Sequence, residues 1–405
     1  MEKEKGILEG KKILIGITGS IAAYKIATLV SLLKKRKADV HVLMTNNATK
    51  FISPLTFEAL TGNKVHTDTF DLSPDQSIHH ISLVKNCDIF LIAPATANII
   101  AKIVHGIADD MLTSTFIAYN GKKMVAPAMN CIMYENEINQ DNLKLCKKYG
   151  MKVIEPDEGV LACGDSGKGR LPEPEFLLDE IIYEICYKKD LIGKKILVTA
   201  GPTQESLDPV RYITNHSSGK MGYSIAKVAA NRGADVILVS GPVNIPVPNH
   251  VKIIKVISAK DMFEAVKKEY MNCDIIIKSA AVADYRPKTY SDNKLKKKDD
   301  ELSIELERTD DILKYLGENK KGQILVGFSM ETDNMIENSK QKLIKKNLDM
   351  IVANNLKDKG AGFGTDTNLV TLITKNDVKK LELMSKDKVG DEIFNEILSW
   401  KYNYF

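Results

Sequence analysis

The chain starts twice. The run "KKILIGITGS" (11–20) and the run "KKILVTAGPT" (194–203) share one grammar: two lysines, an aliphatic strand, then a glycine turn. After each of them, apolar runs of strand length alternate with helical periodicity. In the first half the strand candidates are "KILIGIT", "DVHVLMT", "DIFLIAPAT", "KMVAPAM" and "MKVIEP". Between the first two, "IAAYKIATLVSLLKK" carries Ile21, Tyr24, Ile26, Leu29 and Leu33 at helical spacing, which predicts a helix with those residues buried. The second half offers "KILVTAG", "DVILVSG", "CDIIIKSAA", "QILVGFSME", "DMIVANN" and "NLVTLITK". Strands that read as buried on both faces, alternating with helices, imply parallel sheets covered by helices on both sides. The expected fold class is α/β with two doubly wound domains.

A chain of 405 residues has room for two or three cores, and the repeated opening favours two. The stretch "PEPEFLLDEIIYEICYKKDLIGKK" reads as a helix followed by a charged connector. It sets the boundary at about residue 190, giving expected domains 1–189 and 190–405. Hydrophobic content of 44% and a net charge of +4 suit a soluble globular protein and argue against a nucleic-acid partner. No apolar run approaches the roughly 20 residues of a membrane span. The opening "MEKEKGILEGKK" lacks the apolar centre of a secretory signal. Six cysteines without a CxxC pair point to a reducing, cytoplasmic setting rather than to disulfides or zinc.

Folds of this kind bind ligands beyond the carboxyl ends of their strands. Gly19 and Ser20 follow the first strand and open a helix, a pattern that suits a phosphate and equally a plain turn. Thr45 follows the second strand, Thr96 and Asn98 the third, and Asn130 the fourth. Small polar groups at four successive strand ends describe one ligand-facing edge. The adjacent His79 and His80 read as a short helix on which only one can face a site. "EGVLACGDSGKGRLPEP" reads as a mobile glycine-rich flap around Cys163, a candidate acid or nucleophile or else an incidental thiol.

The stretches "GITGSIAAYK", "HHISLVKNCDIFLIAPATANIIAKI", "GIADDMLT", "PAMNCIMY" and "ACGDSGKGRLPEP" together resemble the flavin-dependent cysteine decarboxylases, specifically phosphopantothenoylcysteine decarboxylase. The resemblance covers most of residues 11–175 and implies a flavodoxin-like flavoprotein domain. It implies that Gly19, Ser20, Thr45, Thr96 and Asn98 cradle flavin mononucleotide (FMN). It further implies that His80 is the active-site histidine, that Asn130 holds the substrate carboxylate, and that Cys163 is the proton donor.

In the second half, "RYITNHSSGKMG" (211–222) looks like a phosphate loop but is not a Walker motif. Thr214 stands where that motif needs its first glycine, and Met221 where it needs a Ser or Thr. Neither opening strand runs into a GxGxxG turn, which disfavours a dinucleotide-dependent dehydrogenase. Asp284, Phe328, Lys342 and Lys346 follow strands or share a helix face, and they suit a nucleoside triphosphate with its metal, although a basic helix face is also simply solvated.

Here "TAGPTQESLDPVRYITNHSSGKMG", "AAVADYRP", "VGFSMET" and "KKNLDMIVANN" resemble phosphopantothenate–cysteine ligase over roughly residues 193–375. The resemblance implies a second Rossmann-like domain, with Asn215 contacting the activated carboxyl and Lys294 acting in catalysis. It also implies that Lys278, Ser279, Ala280, Asp284, Lys294, Asp310, Asp311, Ile312, Leu313, Phe328, Lys342 and Lys346 face CTP. The segment "RTDDIL" departs from that family's usual Asn-Pro-Asp-Ile. The two families fused in this order resemble bacterial bifunctional proteins of coenzyme A biosynthesis. That implies 4′-phosphopantothenate, cysteine and CTP as substrates, FMN and Mg2+ as cofactors, and metal ligands left unnamed. It also implies trimers of the decarboxylase half joined by ligase dimers into a dodecamer. A non-catalytic flavin-binding regulator is the rival reading, against which stand the retained His80, Asn130 and Cys163.

Overall fold

In the computed structural model the chain forms two compact units, Met1–Tyr187 and Lys188–Phe405. The described residues are 6–70, 79–160, 164–295, 303–331, 334–355 and 364–400. Among them, no helix is long and apolar enough to cross a membrane.

The first unit is built on β1 (Lys12–Ile17), β2 (Asp39–Met44), β3 (Ile89–Ala95), β4 (Lys122–Pro127) and β5 (Lys152–Val153). They form one sheet in the order β2-β1-β3-β4-β5, all parallel. Successive side chains of a strand point to opposite faces, and both faces are dry. Ile13, Ile15 and Ile17 pack with Ile26, Leu29 and Leu33 of the helix Tyr24–Lys35, whereas Leu14 packs on the other side with Leu112 and Phe116. Two residues expected on the buried face of that first helix, Ile21 and Tyr24, are instead 57% and 61% exposed. Residues 21–23 form a 3₁₀ turn, and the tighter winding rotates both side chains off the core face. Lys25 is buried there, its ammonium donating to the Leu171 carbonyl at 2.8 Å and to Glu173 at 2.9 Å.

The glycine-rich segment expected as a flap is a hairpin. β6 (Asp157–Val160) pairs antiparallel with β7 (Ser166–Arg170). Cys163 sits between these strands in the sequence and lies outside the described residues.

The second unit uses β8 (Lys195–Ala200), a small antiparallel ladder of β9 (Gln204–Ser206) and β10 (Tyr212–Thr214), then β11 (Asp235–Ser240), β12 (Val251–Lys255) and β13 (Ile275–Lys278). A second ladder of β14 (Tyr285–Pro287) and β15 (Leu306–Arg308) precedes β16 (Ile324–Glu331) and β17 (Met350–Asn355). The C-terminal part adds β18 (Thr367–Asn368), β19 (Val370–Thr374), β20 (Val378–Lys380) and β21 (Met384–Ser385). The main sheet has the order β12-β11-β8-β13-β16-β17-β19-β20. Its first six strands are parallel, as the sequence predicts, but β19 and β20 are antiparallel. The reason is local: among the described residues no crossover helix separates "NLVTLITK" from its neighbours. Short connections favour antiparallel pairing, whereas parallel strands need a long crossover.

Candidate active sites

In the first unit the chain order reverses between β1 and β3, and such a switch point opens a crevice at the carboxyl ends of the strands. Thr18, which the motifs did not single out, stitches the two ends together. Its hydroxyl donates to the Pro94 carbonyl at 2.6 Å and accepts from the Thr96 N–H at 3.1 Å. Gly19 lets the loops close: a Cβ there would lie 2.6 Å from the Cβ of Asn47. Ser20 caps the 3₁₀ turn and accepts from Ala22 N–H, while Thr45 accepts from Ala48 N–H and its own N–H bonds to Ile17. Thr96 caps the eight-residue helix Ala97–Val104, on which Asn98 is exposed. The fold therefore brings Gly19, Ser20, Thr45, Thr96 and Asn98 to adjoining ends of β1, β2 and β3.

Asn130 joins the same edge from the end of β4, whose neighbour Ala128 donates to Ala95 of β3 at 3.0 Å. The Asn130 side chain accepts from Ile132 N–H at 2.8 Å and donates to the carboxylate of Asp165 at 3.0 Å. Asp165 belongs to the hairpin, so the carboxamide links it to the sheet edge. Met129 N–H donates to the Gly169 carbonyl at 3.0 Å, and a Cβ on Gly169 would lie 2.2 Å from the Met129 carbonyl oxygen. The helix His79–Val84 carries His80, whose side chain lies outside the described residues.

In the second unit the reversal falls between β8 and β13. A pocket of about 190 Å³ opens beside it, walled by Ser217–Gly222, Ser279–Ala281, Phe328–Met330, Asn354, Asn368 and Lys386. Gly222 lets the helix Lys220–Asn231 press onto β8, because a Cβ there would meet the Ala200 Cβ at 2.5 Å. Asn215 reaches across to the same edge and donates to the Ala281 and Val282 carbonyls at 3.3 and 3.2 Å.

Beside the pocket the fold gathers a cluster of cations. Lys278 donates to the Ala280 carbonyl at 3.1 Å, Lys342 to the Phe328 carbonyl at 3.3 Å, and Lys346 pairs with Asp311. Desolvation of the Lys278 ammonium, reinforced by the positive charge of Lys342, pushes its pKa down to about 8 despite the opposing pull of Asp311 and Asp284. Burial acts against ionisation of Asp311, yet its bond from Lys346 leads the effects that together hold its carboxyl below the usual range. Asp311 also caps the helix Ile312–Asn319 by accepting from Lys314 N–H at 3.0 Å. Ile312 and Leu313 are core residues, 2% and 4% exposed, so only their backbone is available to a ligand. Asp284 and Asp310 are exposed.

Lys294 is exposed near the edge of the described residues. Its neighbour Leu295 is held by two residues that the motif reading left without a role: Asp208 accepts from Leu295 N–H at 3.1 Å, and Arg211 donates to its carbonyl at 2.7 Å. Among the described residues, no three His, Cys, Asp or Glu side chains converge to hold a metal.

A hydroxyl-lined switch point in one unit and a pocket beside a lysine cluster in the other give a two-domain α/β protein with two candidate sites. The first unit matches the flavoprotein family over residues 1–186, and the second matches the DNA/pantothenate metabolism flavoprotein C-terminal domain over residues 191–400. The chain belongs to the family of bifunctional coenzyme A biosynthesis proteins. It is 49% identical over 395 residues to the CoaBC protein of Bacillus subtilis (96% of this chain, 97% of that one). It is 42% identical over 396 residues to that of Escherichia coli (97% and 98%). Among solved structures it is similar to the C-terminal domain of a CoaBC protein (50% identity, TM-score 0.46, 53% of this chain and 98% of that one). Another is the FMN-dependent cysteine decarboxylase SpaF (32% identity, TM-score 0.37, 40% and 91%).

Proposed function

We propose that this chain is a cytoplasmic enzyme that converts 4′-phosphopantothenate to 4′-phosphopantetheine in two steps. Residues 190–405 join cysteine to the substrate at the expense of CTP, and residues 1–189 decarboxylate the product. The observation that carries the reading is likeness along nearly the whole length, 49% identity over 96% of the chain, to a bifunctional protein of coenzyme A biosynthesis.

In the ligase step a carboxylate oxygen of phosphopantothenate attacks the α-phosphorus of CTP, and pyrophosphate leaves. The cysteine amine then attacks the acyl carbon and CMP departs. Lys278, Lys342 and Lys346 offset the charge of the triphosphate, and Lys294 serves the leaving pyrophosphate. Phe328, Ser279 and Ala280 border the nucleotide, as do Asp284 and the backbone of residues 310–313. Asn215 orients the activated carboxyl. Mg2+ would arrive as the counter-ion of the triphosphate and would share with these lysines in offsetting its charge.

In the decarboxylation, the neutral donors at the ends of β1, β2 and β3 fit the phosphate and ring edge of FMN, with the first-turn amides of Ala97–Val104 adding to them. When bound, FMN supplies reversible oxidation at the thiol-bearing carbon of the substrate. Asn130 holds the carboxylate that leaves as CO2. Its carboxamide already donates to a carboxylate, that of Asp165, which the substrate would replace. His80 takes the thiol proton, and Cys163 returns a proton to the carbon that lost CO2. The exposed Ile21, Tyr24 and Ile132 lie next to site residues and supply apolar surface for the trimer contacts that would complete the site. Ligase dimers would then close the trimers into a dodecamer.

The test is to incubate purified protein with phosphopantothenate, cysteine, CTP and Mg2+ and to follow CMP, CO2 and phosphopantetheine. Cys163→Ser should still release CO2 but accumulate an oxidised, decarboxylated thiol. Absence of CMP, or saturated product from Cys163→Ser at the wild-type rate, overturns the corresponding half of the scheme.

A further inference from the structure

Three threonines of the second unit lie on one thread of hydrogen bonds. The Thr214 hydroxyl donates to the Thr203 carbonyl at 2.7 Å. The Thr203 hydroxyl accepts from Ala283 N–H at 3.0 Å, and the Ala283 carbonyl accepts from the Thr309 hydroxyl at 2.6 Å. Thr203 has no exposed surface and Ala283 is buried, so the middle of the thread is dry. It joins the ladder of β9 and β10 to the stretch after β13 and to the residue that follows β15.

Each link stops one residue short of a group assigned to the ligase step. Thr214 precedes Asn215, Ala283 precedes Asp284, and Thr309 precedes the run 310–313. Thr309 N–H also donates to the Asp284 carbonyl at 3.0 Å, and Asn215 donates to the carbonyls of Ala281 and Val282. Ala283 is thereby held at both of its backbone groups, its N–H by one threonine hydroxyl and its carbonyl by another. Where the thread is dry, water does not make good a lost partner, so each bond restricts its neighbours. The ligase step calls for such restraint. An acyl oxygen forms a bond to the α-phosphorus while the bond to the bridging oxygen breaks, and pyrophosphate leaves with the electron pair. The acyl group and the nucleotide are held by different segments, and only their relative placement brings the attack into line.

We propose that Thr203 and Thr309 are positioning residues of the ligase step, setting the segment that holds the acyl group against those that hold the nucleotide. The proposal rests on the ligase reading, and both threonines act through Asn215, Asp284 and residues 310–313. Their hydroxyls then govern the rate of attack with both substrates bound, and not the affinity for either.

The experiment compares full-length wild type with Thr203→Val, Thr309→Val, the double variant, Thr203→Ser and Thr309→Ser. Valine keeps the shape and removes the hydroxyl, whereas serine keeps the hydroxyl. Three quantities are read without cysteine present: CTP affinity by calorimetry, the 4′-phosphopantothenate concentration that half-saturates the rate, and single-turnover pyrophosphate release with both substrates saturating. Each valine variant should slow pyrophosphate release about tenfold to a hundredfold, the scale of a displacement near 1 Å. CTP affinity and half-saturation should stay at their wild-type values, which also shows that the unit is folded. The serine variants should release pyrophosphate at close to the wild-type rate. Because both hydroxyls act on Ala283, the double variant should lose about as much as the worse single variant, not the product of the two losses. If Thr203→Val does not fold, Thr309→Val, at the partly exposed end of the thread, decides by itself. Valine variants with wild-type release, a loss explained by weaker binding of one substrate, or serine variants as slow as valine overturn the proposal. A wild type that releases no pyrophosphate would instead sink the ligase reading, and the positioning role with it.

Discussion

Asp208 and Arg211 form a two-pronged ion pair, with the Arg211 Nε and terminal nitrogen at 3.0 and 2.7 Å from one carboxylate oxygen of Asp208. The other oxygen accepts from the Val210 and Arg211 backbone N–H groups, both at 2.8 Å. The Asp208 side chain has no exposed surface, and despite the burial its bonds from Arg211 and from backbone amides hold its carboxyl far below the usual range. Since the same pair grips both backbone groups of Leu295, it fixes the chain one residue beyond Lys294.

Asp208→Asn is therefore expected to impair the ligase step by displacing Lys294. The amide would turn one acceptor into a donor and set it against groups that are themselves donors. A displacement near 1 Å at a catalytic group can cost about a hundredfold in rate, and loss of CMP formation by at least about tenfold is expected. Decarboxylation of supplied phosphopantothenoylcysteine should be untouched. Normal CMP production by Asp208→Asn would show that the clamp does not serve Lys294.

The depressed pKa of Lys278 predicts proton uptake when the triphosphate binds. In the free protein the ammonium is present below about 8 and is lost above it, while a bound polyanion favours the charged form. Nucleotide affinity should accordingly weaken as pH rises through about 8, and calorimetry in buffers of different ionisation heat should detect uptake in that range. Lys278→Met should reduce the uptake without abolishing it, since Lys386 titrates in the same range. Linkage fixes the sign for folding as well. Between about 8 and the unfolded value near 10.4 the unfolded chain binds more protons, so this group's contribution to stability rises with pH. Uptake that is absent at pH 8, or independent of Lys278, would contradict the assignment.

The sheets were legible because their signal is local. Strands such as "KILIGIT" and "DVILVSG" are short, β-branched apolar runs bounded by turn residues, the pattern of strands buried on both faces. Strand ends then pointed to Thr45, Thr96, Asn215 and Phe328 without any knowledge of the tertiary fold. What stayed hidden depends on distant packing. Lys386 sits in "MSKDKVG", a charged helix start that looks solvated until the pocket wall is assembled around it. Asp208 reads as a turn residue until Leu295, 87 positions away, donates to it. Tyr24 repeats at helical spacing, but periodicity does not register the 3₁₀ turn of residues 21–23 that leaves it exposed. The hairpin of β6 and β7 escaped because its glycines mask any strand alternation.

Gly169 offers a test of that hairpin. Its φ is 148°, a region L side chains rarely adopt, and a methyl group would sit 2.2 Å from the Met129 carbonyl oxygen. Gly169→Ala should push β7 away from residues 129–130 and disturb the Asn130–Asp165 contact. FMN should remain bound, as read from the visible spectrum, and CTP turnover should be normal, while decarboxylation falls about tenfold or more. A variant with unchanged decarboxylation would mean that the contact between the hairpin and Asn130 is incidental to catalysis.

Ile132 is 73% exposed two residues after Asn130, and Ile138 is 74% exposed on the next helix, while Ile21 and Tyr24 are exposed just after Ser20. Single exposed apolar residues are ordinary, but several beside one ligand edge mark a surface that gains from being covered. If subunits meet there, His80 and Asn130 of one site can come from different chains. His80→Asn and Asn130→Asp proteins, each inactive in decarboxylation, should then recover part of the activity when dissociated and reassembled together, because some interfaces would unite two intact partners. For random trimers mixed at equal ratio, about a quarter of the interfaces would pair an intact His80 with an intact Asn130, so roughly that share of wild-type activity is the ceiling. Ligase activity, which neither substitution touches, serves as the internal standard for protein recovered. Mixed oligomers verified by mass that show no decarboxylation would mean that each chain completes its own site.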